Sequence, residues 1–189
     1  MAQPLVTLAE YKLYKKISKT EADPEIQFII DSVNTLVRTF LGHSVIDFYT
    51  NPTVETFNIK EAQPSIQVNE WPIKEVIEIQ TRKGYNVDYE VVDPASYFVD
   101  PTVDSIYVHD GFWNPGFGSV KVQYTAGFET VPPDLKIATL DLIHHYYKEE
   151  YKDKKQIGNS SIDNTNRYAA LASEWPIHII RVLDMYRNV

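Results

Sequence analysis

SVKVQYTAGFETVPPDLKIATLDLIHHYY, Ser119 to Tyr147, reads as a strand, a glycine turn, a proline entry and a long helix. Val120, Val122 and Tyr124 alternate with Lys121, Gln123 and Thr125, the period of a half-buried strand. Gly127 gives the backbone a place to take positive φ. Pro132 and Pro133 suit a first helical turn and no later position, and Asp134 meets the positive end of the helix dipole there. Beyond them Leu135, Ala138, Leu142, Ile143, Tyr146 and Tyr147 share one face at i, i+3, i+4 spacing. Ile137, Leu140 and His144 form a second, less apolar stripe. A helix apolar on two sides needs cover on two sides. A sheet is expected to supply one, and more helix or a neighbouring subunit the other.

Upstream, Thr7 to Ile17 reads as a short helix, with Thr7 and Glu10 at capping-box spacing. Leu8, Tyr11, Tyr14 and Ile17 line one face. Lys12, Lys15, Lys16 and Lys19 lie mostly opposite, as a solvated face or a docking surface. Asp23-Pro24-Glu25 opens a second helix, with Asp23 placed to cap it and Pro24 at its first position. Ile26, Ile29, Ile30, Val33, Leu36, Val37, Phe40 and Leu41 hold helical spacing until Gly42 ends it.

Strands are expected at Val45–Tyr49, Thr53–Ile59, Ser65–Val68, Ile73–Thr81, Val87–Val92, Ser96–Val99 and Ser105–His109, split by turn dipeptides such as Asn51-Pro52 and Asp93-Pro94. HDGFWNPGFG, His109 to Gly118, is a loop carrying Phe112, Trp113 and Phe117. These rings either tuck under the sheet or form an exposed contact tip. Gln156 to Asn166 (QIGNSSIDNTN) is small, polar and unpatterned, and reads as a mobile loop: a linker, or a segment that folds on a partner. Trp175-Pro176 opens a last helix with Ile179, Ile180, Leu183 and Tyr186 on one face. The pattern gives one α+β domain over 1–189. A layer of about four helices (Leu8–Ile17, Glu25–Leu41, Leu135–Tyr151, Ile177–Arg187) packs beside a mostly antiparallel sheet from Val45 to Thr125.

Composition narrows the function. The 189 residues are enough for a core without staples. There is no cysteine, hence no disulfide framework and no thiolate site. A formal net charge of −8 argues against a protein that wraps nucleic acid. It is compatible with lining a conduit along which DNA slides, since like charges repel within a Debye length of about 8 Å. No run of 18 apolar residues and no cationic-then-apolar leader is visible, so neither a membrane span nor a secretory signal is expected. Thirteen tyrosines and three tryptophans suit either an aromatic core or an interface.

Chemistry-bearing motifs are few. The phosphate-cradle patterns G-x-x-x-x-G-K-[ST] and G-x-G-x-x-G are missing, as is the G-x-S-x-G elbow. His144, His145 and Glu149 are the one histidine cluster. His145 and Glu149, at i, i+4, could hold a divalent ion, but spacing supplies no third ligand. Asp100-Pro-Thr-Val-Asp104 lacks the oxygen density of a calcium loop. No lysine–aromatic stripe marks a single-strand groove. No metal, cofactor or catalytic residue is assigned.

The ordered motifs add a resemblance. Val122-Gln-Tyr-Thr-Ala-Gly-Phe128, Val131-Pro-Pro-Asp-Leu-Lys136 and His145-Tyr146-Tyr147 resemble the head-tail connector (head completion, or adaptor) proteins of tailed bacteriophages. Asp23-Pro24-Glu25, Phe40-Leu-Gly42, Trp71-Pro72-Ile73, Tyr89-Glu-Val-Val-Asp93 and Leu183-Asp-Met-Tyr186-Arg187 are similar to further family features in the same order. The extra strand material of Val45–Val68 and the polar loop Gln156–Asn166 depart from the compact members. The resemblance implies a non-enzymatic virion protein, made in the host cytoplasm and located in the neck. It would form a homo-oligomeric ring, a dodecamer, docked under the portal protein. That ring would extend the DNA channel without specific DNA binding and present a surface to the tail or next neck protein. The expected contacts are the aromatic loop (Phe112, Trp113, Phe117), the polar loop (Ile157, Asn159, Ile162, Arg167) and the last helix (Ile179, Leu183, Tyr186). The alternatives are a tail terminator or minor tail protein, a small metal-dependent hydrolase using His144, His145 and Glu149, and a glycan-binding module using Trp113.

Overall fold

The computed structural model describes residues 3–148, 155–157, 160–162 and 175–187. The fold is α+β, with four helices and antiparallel sheets among the described residues. Where the sequence reads as one domain, the chain forms two compact units, residues 3–42 with 131–189 and residues 43–130.

The first unit is helical. α1 (Leu8–Lys15) starts on the expected capping box: the Glu10 backbone N–H donates to the Thr7 hydroxyl, and the Thr7 N–H donates to the Glu10 carboxylate at 2.9 Å. α2 (Asp23–Leu41) has Pro24 in its first turn and Gly42 as its left-handed cap. Asp23 is not the cap. It is the first helical residue, and its carboxylate accepts from Lys12 Nζ at 2.6 and 2.9 Å instead, tying the two helices together. Ile26, Ile30, Val33, Val37 and Leu41 are buried along one face of α2. Buried Asn34 clamps the N-terminal segment, donating to Val6 O at 3.0 Å and accepting from Val6 N at 3.2 Å. Both amide groups are thereby satisfied, which a buried side-chain amide requires.

α3 (Pro133–Tyr147) is the helix with two apolar stripes. It packs against α2 and against α4 (Ile177–Met185) of its own unit, so the helical cover is intramolecular. Leu135, Ala138, Leu140, Leu142 and Ile143 are buried, and Ile137 alone of the two stripes is strongly exposed. No neighbouring subunit is needed to hide most of this helix. α1 is bound to α3 by polar contacts: Lys136–Glu10 at 2.7 Å, Lys15–Asp141 at 3.2 Å, and the Tyr11 hydroxyl against His144 Nδ1 at 3.1 Å. Burial and the nearby Tyr147 push the Tyr11 phenol up to about 12. Burial opposes ionisation of Glu10, but Lys136 and Thr7 outweigh it and hold its carboxyl below the usual range. The stretch expected as a loop at Gln156–Asn166 instead carries a short antiparallel pair, Lys155–Ile157 with Ser160–Ile162.

The second unit is β apart from one short 3-10 turn at Pro94–Ser96, and its strands form two sheets rather than one. β1 (Thr53–Ile59), β3 (Ile73–Thr81), β4 (Glu90–Val91) and β7 (Gly116–Ala126) form a sheet in the order β1-β7-β3-β4. β2 (Ser65–Gln67), β5 (Tyr97–Asp100) and β6 (Ser105–Val108) form the other, in the order β2-β6-β5. Of the expected strand Val87–Val92 only Glu90–Val91 is strand, with Val92 N adding a bond to Ile79 O at 2.8 Å. Val120, Val122, Tyr124 and Ala126 of β7 are buried, as their alternation predicts. They join Ile59, Ile66, Ile73, Ile79, Ile106 and Trp113 in one core fed by both sheets. The Tyr124 hydroxyl donates to the Glu55 carboxylate and accepts from Glu70 N at 3.1 Å. Burial, reinforced by the Glu55 bond, pushes this phenol well above its ordinary range.

Val45–Tyr49 is not a strand. Val45 has φ 76°, a conformation that disfavours β-branched residues. It is held there by the end of β7: Phe128 N donates to Val45 O at 2.8 Å and Ala126 N to Phe48 O at 3.0 Å. Gly127, at φ 94°, lies so close that a Cβ would sit 2.4 Å from Val45 O. The Gly127→Ala variant is therefore expected to lose about 2 kcal/mol or more. A urea midpoint unchanged from wild type would show that the approach is not tight.

Candidate partner interface

The aromatic loop before β7 resolves into an anchor and two exposed rings. Trp113 is 3% exposed and belongs to the core of the β unit. Its Nε1 donates to Ile106 O at 3.3 Å, and its backbone N–H donates to Gln63 O at 2.8 Å. A buried indole with its N–H satisfied is a structural element, not a surface for sugars. Phe112 and Phe117 are 59% and 78% exposed. Of the three rings, Trp113 is the one tucked under the sheet, and Phe112 and Phe117 are exposed.

Arg82, at the end of β3, organises this tip. Its Nε donates to Gly118 O, its Nη2 to Phe117 O and its Nη1 to Tyr85 O, each at 2.9 Å. The guanidinium carbon lies 4.8 Å from the ring centroids of both Tyr85 and Tyr89, within cation–π range. The Tyr89 hydroxyl adds a bond to Gly118 O at 2.7 Å, and Lys121 Nζ lies 4.3 Å from the Tyr89 ring. Gly118, at φ 55°, leaves room for all this: a Cβ there would come within 2.6 Å of Arg82 Nη2. One cation therefore ties Phe117 to the exposed ring of Tyr85. Arg82 has no role legible in the sequence, because the Phe117 and Gly118 carbonyls that it holds lie 35 and 36 residues away.

The other expected contact residues are placed differently. Ile179 and Leu183 are buried in the helical unit, facing inward from α4. Tyr186 is half-buried, its hydroxyl donating to Asp134 at 2.8 Å; burial and Asp134 raise its phenol to about 12. The backbones of Ile157 and Ile162 lie in the short strand pair. Asn159 and Arg167 lie outside the described residues.

The groups weighed for metal or acid–base chemistry are occupied separately. His144 meets Tyr11, whereas His145 is buried with its ring edge-on to Tyr146, 5.9 Å between centroids. Glu149 lies outside the described residues. Asp100 accepts from the Thr102 side chain and backbone, which hold its carboxyl below the usual range. Asp104 caps Ile73 N at 2.8 Å. Among the described residues no group of three His, Asp or Glu could hold an ion. No helix described is long and apolar enough to cross a membrane.

The division between anchor and tip has a measurable consequence. Trp113→Ala is expected to cost about 3–5 kcal/mol in urea unfolding, and Phe117→Ala to shift stability by less than about 0.5 kcal/mol. Comparable losses in both would mean that Phe117 is part of the core.

Comparison with known proteins gives a consistent picture. The head completion protein of Escherichia phage T5 is 25% identical over 195 residues, 98% of this chain and 99% of that protein. Among solved structures, a chain from the neck of an empty gene transfer agent (GTA) particle, resolved with C6 symmetry, superposes with a TM-score of 0.64. It covers 100% of this chain and 93% of its own at 13% identity. A chain from the neck of a native GTA particle, resolved with C12 symmetry, gives 0.60 at 14% identity over 96% and 88%. At such identities the structural likeness is one of fold. The family model described as "Head completion protein" matches residues 4–189, and the chain belongs to that family.

Proposed function

We propose that this chain is a non-enzymatic structural protein of a tailed-phage-type virion, a head-tail connector in the neck. It docks under the portal as a ring, extends the DNA channel and offers the attachment surface for the tail or next neck protein. The observation that carries this reading is the family match over 4–189, with a phage T5 head completion protein of the same extent. The fold shared with neck chains from particles resolved with C6 and C12 symmetry supports a ring. A head-to-tail contact repeated about an axis closes only when its rotation closes, and it needs two different faces on each subunit.

The exposed apolar side chains are the candidates for those faces. Phe28 on α2 is 74% exposed and, with Ile29, Val33, Leu36 and Tyr146, lines a groove of about 220 Å³. In this reading the groove receives a neighbouring copy, and the Phe112–Phe117 tip meets the portal or tail. Both patches leave large rings in water, which a protein that works alone would have little reason to keep.

The test is assembly on particles lacking this protein. Phe28→Asp and Phe117→Asp, both at exposed positions, should leave the isolated chain folded and reduce its retention on portal-bearing heads by tenfold or more. Wild-type retention in both variants, or binding to tail tubes but not to heads, would overturn the reading.

A further inference from the structure

Lys15 at the end of α1 is half-buried, whereas Lys16 and Lys19 beyond it and Lys148 after α3 are exposed around one open cavity. Lys15, Lys16, Ile17, Ser18, Lys19, Glu21 and Ala22, at and beyond the end of α1, form one wall of a cavity of about 540 Å³. His144, Tyr147 and Lys148, at the end of α3, form the other. Four lysines thus meet in one cavity of a chain whose net charge is −8.

Two structural explanations account for only part of this charge. Lys15 is paired with Asp141 at 3.2 Å. The C-termini of α1 and α3 converge here, and each offers roughly half a negative charge to nearby cations. Lys16, Lys19 and Lys148 have no ion-pair partner among the described residues; the two helix ends and Glu21, the one carboxylate in the wall, offset about two of their three charges and leave a net positive wall. The cavity is also too large for a single ion, since a water's share of volume is about 30 Å³. It falls instead in the range of about 300–1,000 Å³ that holds an organic ligand. Its far wall carries the half-buried rings of His144 and Tyr147. Cations that track phosphates beside rings that can stack on a base are the two parts of a single-strand nucleic-acid site. The sequence hides the combination because its halves lie some 130 residues apart.

We infer that this cavity binds nucleotide phosphates, as a nucleic-acid strand or a free nucleotide. Lys16, Lys19 and Lys148 take the phosphates, and Tyr147 faces the base. The inference stands on the cavity and does not depend on ring assembly. With about three phosphate contacts to a single strand, log K should fall with log salt at a slope of about −2.

The test is fluorescence anisotropy of the full chain with a short labelled oligothymidylate at low salt. Wild type should bind saturably with that slope. Lys16→Glu/Lys19→Glu should weaken binding by about tenfold or more, and Lys148→Glu on the opposite wall should weaken it as well. The control Lys60→Glu/Lys83→Glu makes the same charge change at exposed positions of the β unit and should cost less than about threefold. Lys16→Arg/Lys19→Arg should keep the affinity, which separates loss of charge from loss of fold. A nucleoside triphosphate that competes as well as unlabelled strand assigns the site to free nucleotide; one that competes poorly assigns it to the strand. No saturable binding by wild type, equal losses in the pocket and control variants, or displacement by polyglutamate as effective as by unlabelled strand overturns the inference.

Discussion

The close backbone approach at Gly127 is the constraint on which the β unit depends. β7 pairs with β1 on one side and β3 on the other, so both neighbours take their register from it. At its end, Ala126, Gly127 and Phe128 donate in turn to Phe48, Pro72 and Val45 carbonyls. Three successive backbone bonds leave little freedom for the strand to slide. A one-residue slip would turn Val120, Val122 and Tyr124 to the opposite face. The glycine is what lets the chain come near enough to make the bonds.

The same strand begins at the exposed tip. Eleven residues of β structure span roughly 35 Å, with Phe117 at one end and the pinned Gly127 turn just beyond the other. Arg82 and Tyr89 lock the first residues of β7, and Trp113 roots the loop that precedes it. Phe117 is therefore held by a stiff element rather than by a floppy loop. A partner meeting such a tip does not have to order it first, and that ordering is one of the main costs of association. This is the physical sense in which the fold suits a docking protein: stability is concentrated beneath the residues left exposed.

How much of this the sequence could say depended on the range of the interaction. The β7–α3 stretch was legible because alternation, a glycine turn and a proline entry are local signals, and the Thr7–Glu10 capping box was legible for the same reason. Val45 misled because its strand propensity is local, whereas the bonds that hold it at positive φ come from residues some 80 positions later. Asp23 looked like a cap, but Lys12 took its carboxylate. Cover for α3 was expected from more helix or from a neighbouring subunit, and nothing local reveals that α2 and α4 of the same unit pack on it while Ile137 stays exposed. At the candidate site, composition placed three aromatics in one loop but could not say which was buried. The Arg82 clamp and the lysine cavity are both assembled across long separations, and periodicity carries no trace of either.

As proposed, the chain works by occupying a place in an assembled neck rather than by turning over a substrate. Cryo-electron microscopy of particles that carry it tests this most directly. The expected result is a closed ring of this chain between the portal and the next component, with Phe28 buried against an adjacent copy and Phe117 against a different protein. Density in which the site beneath the portal is empty, or in which the chain is present but both rings remain in solvent, would contradict the account.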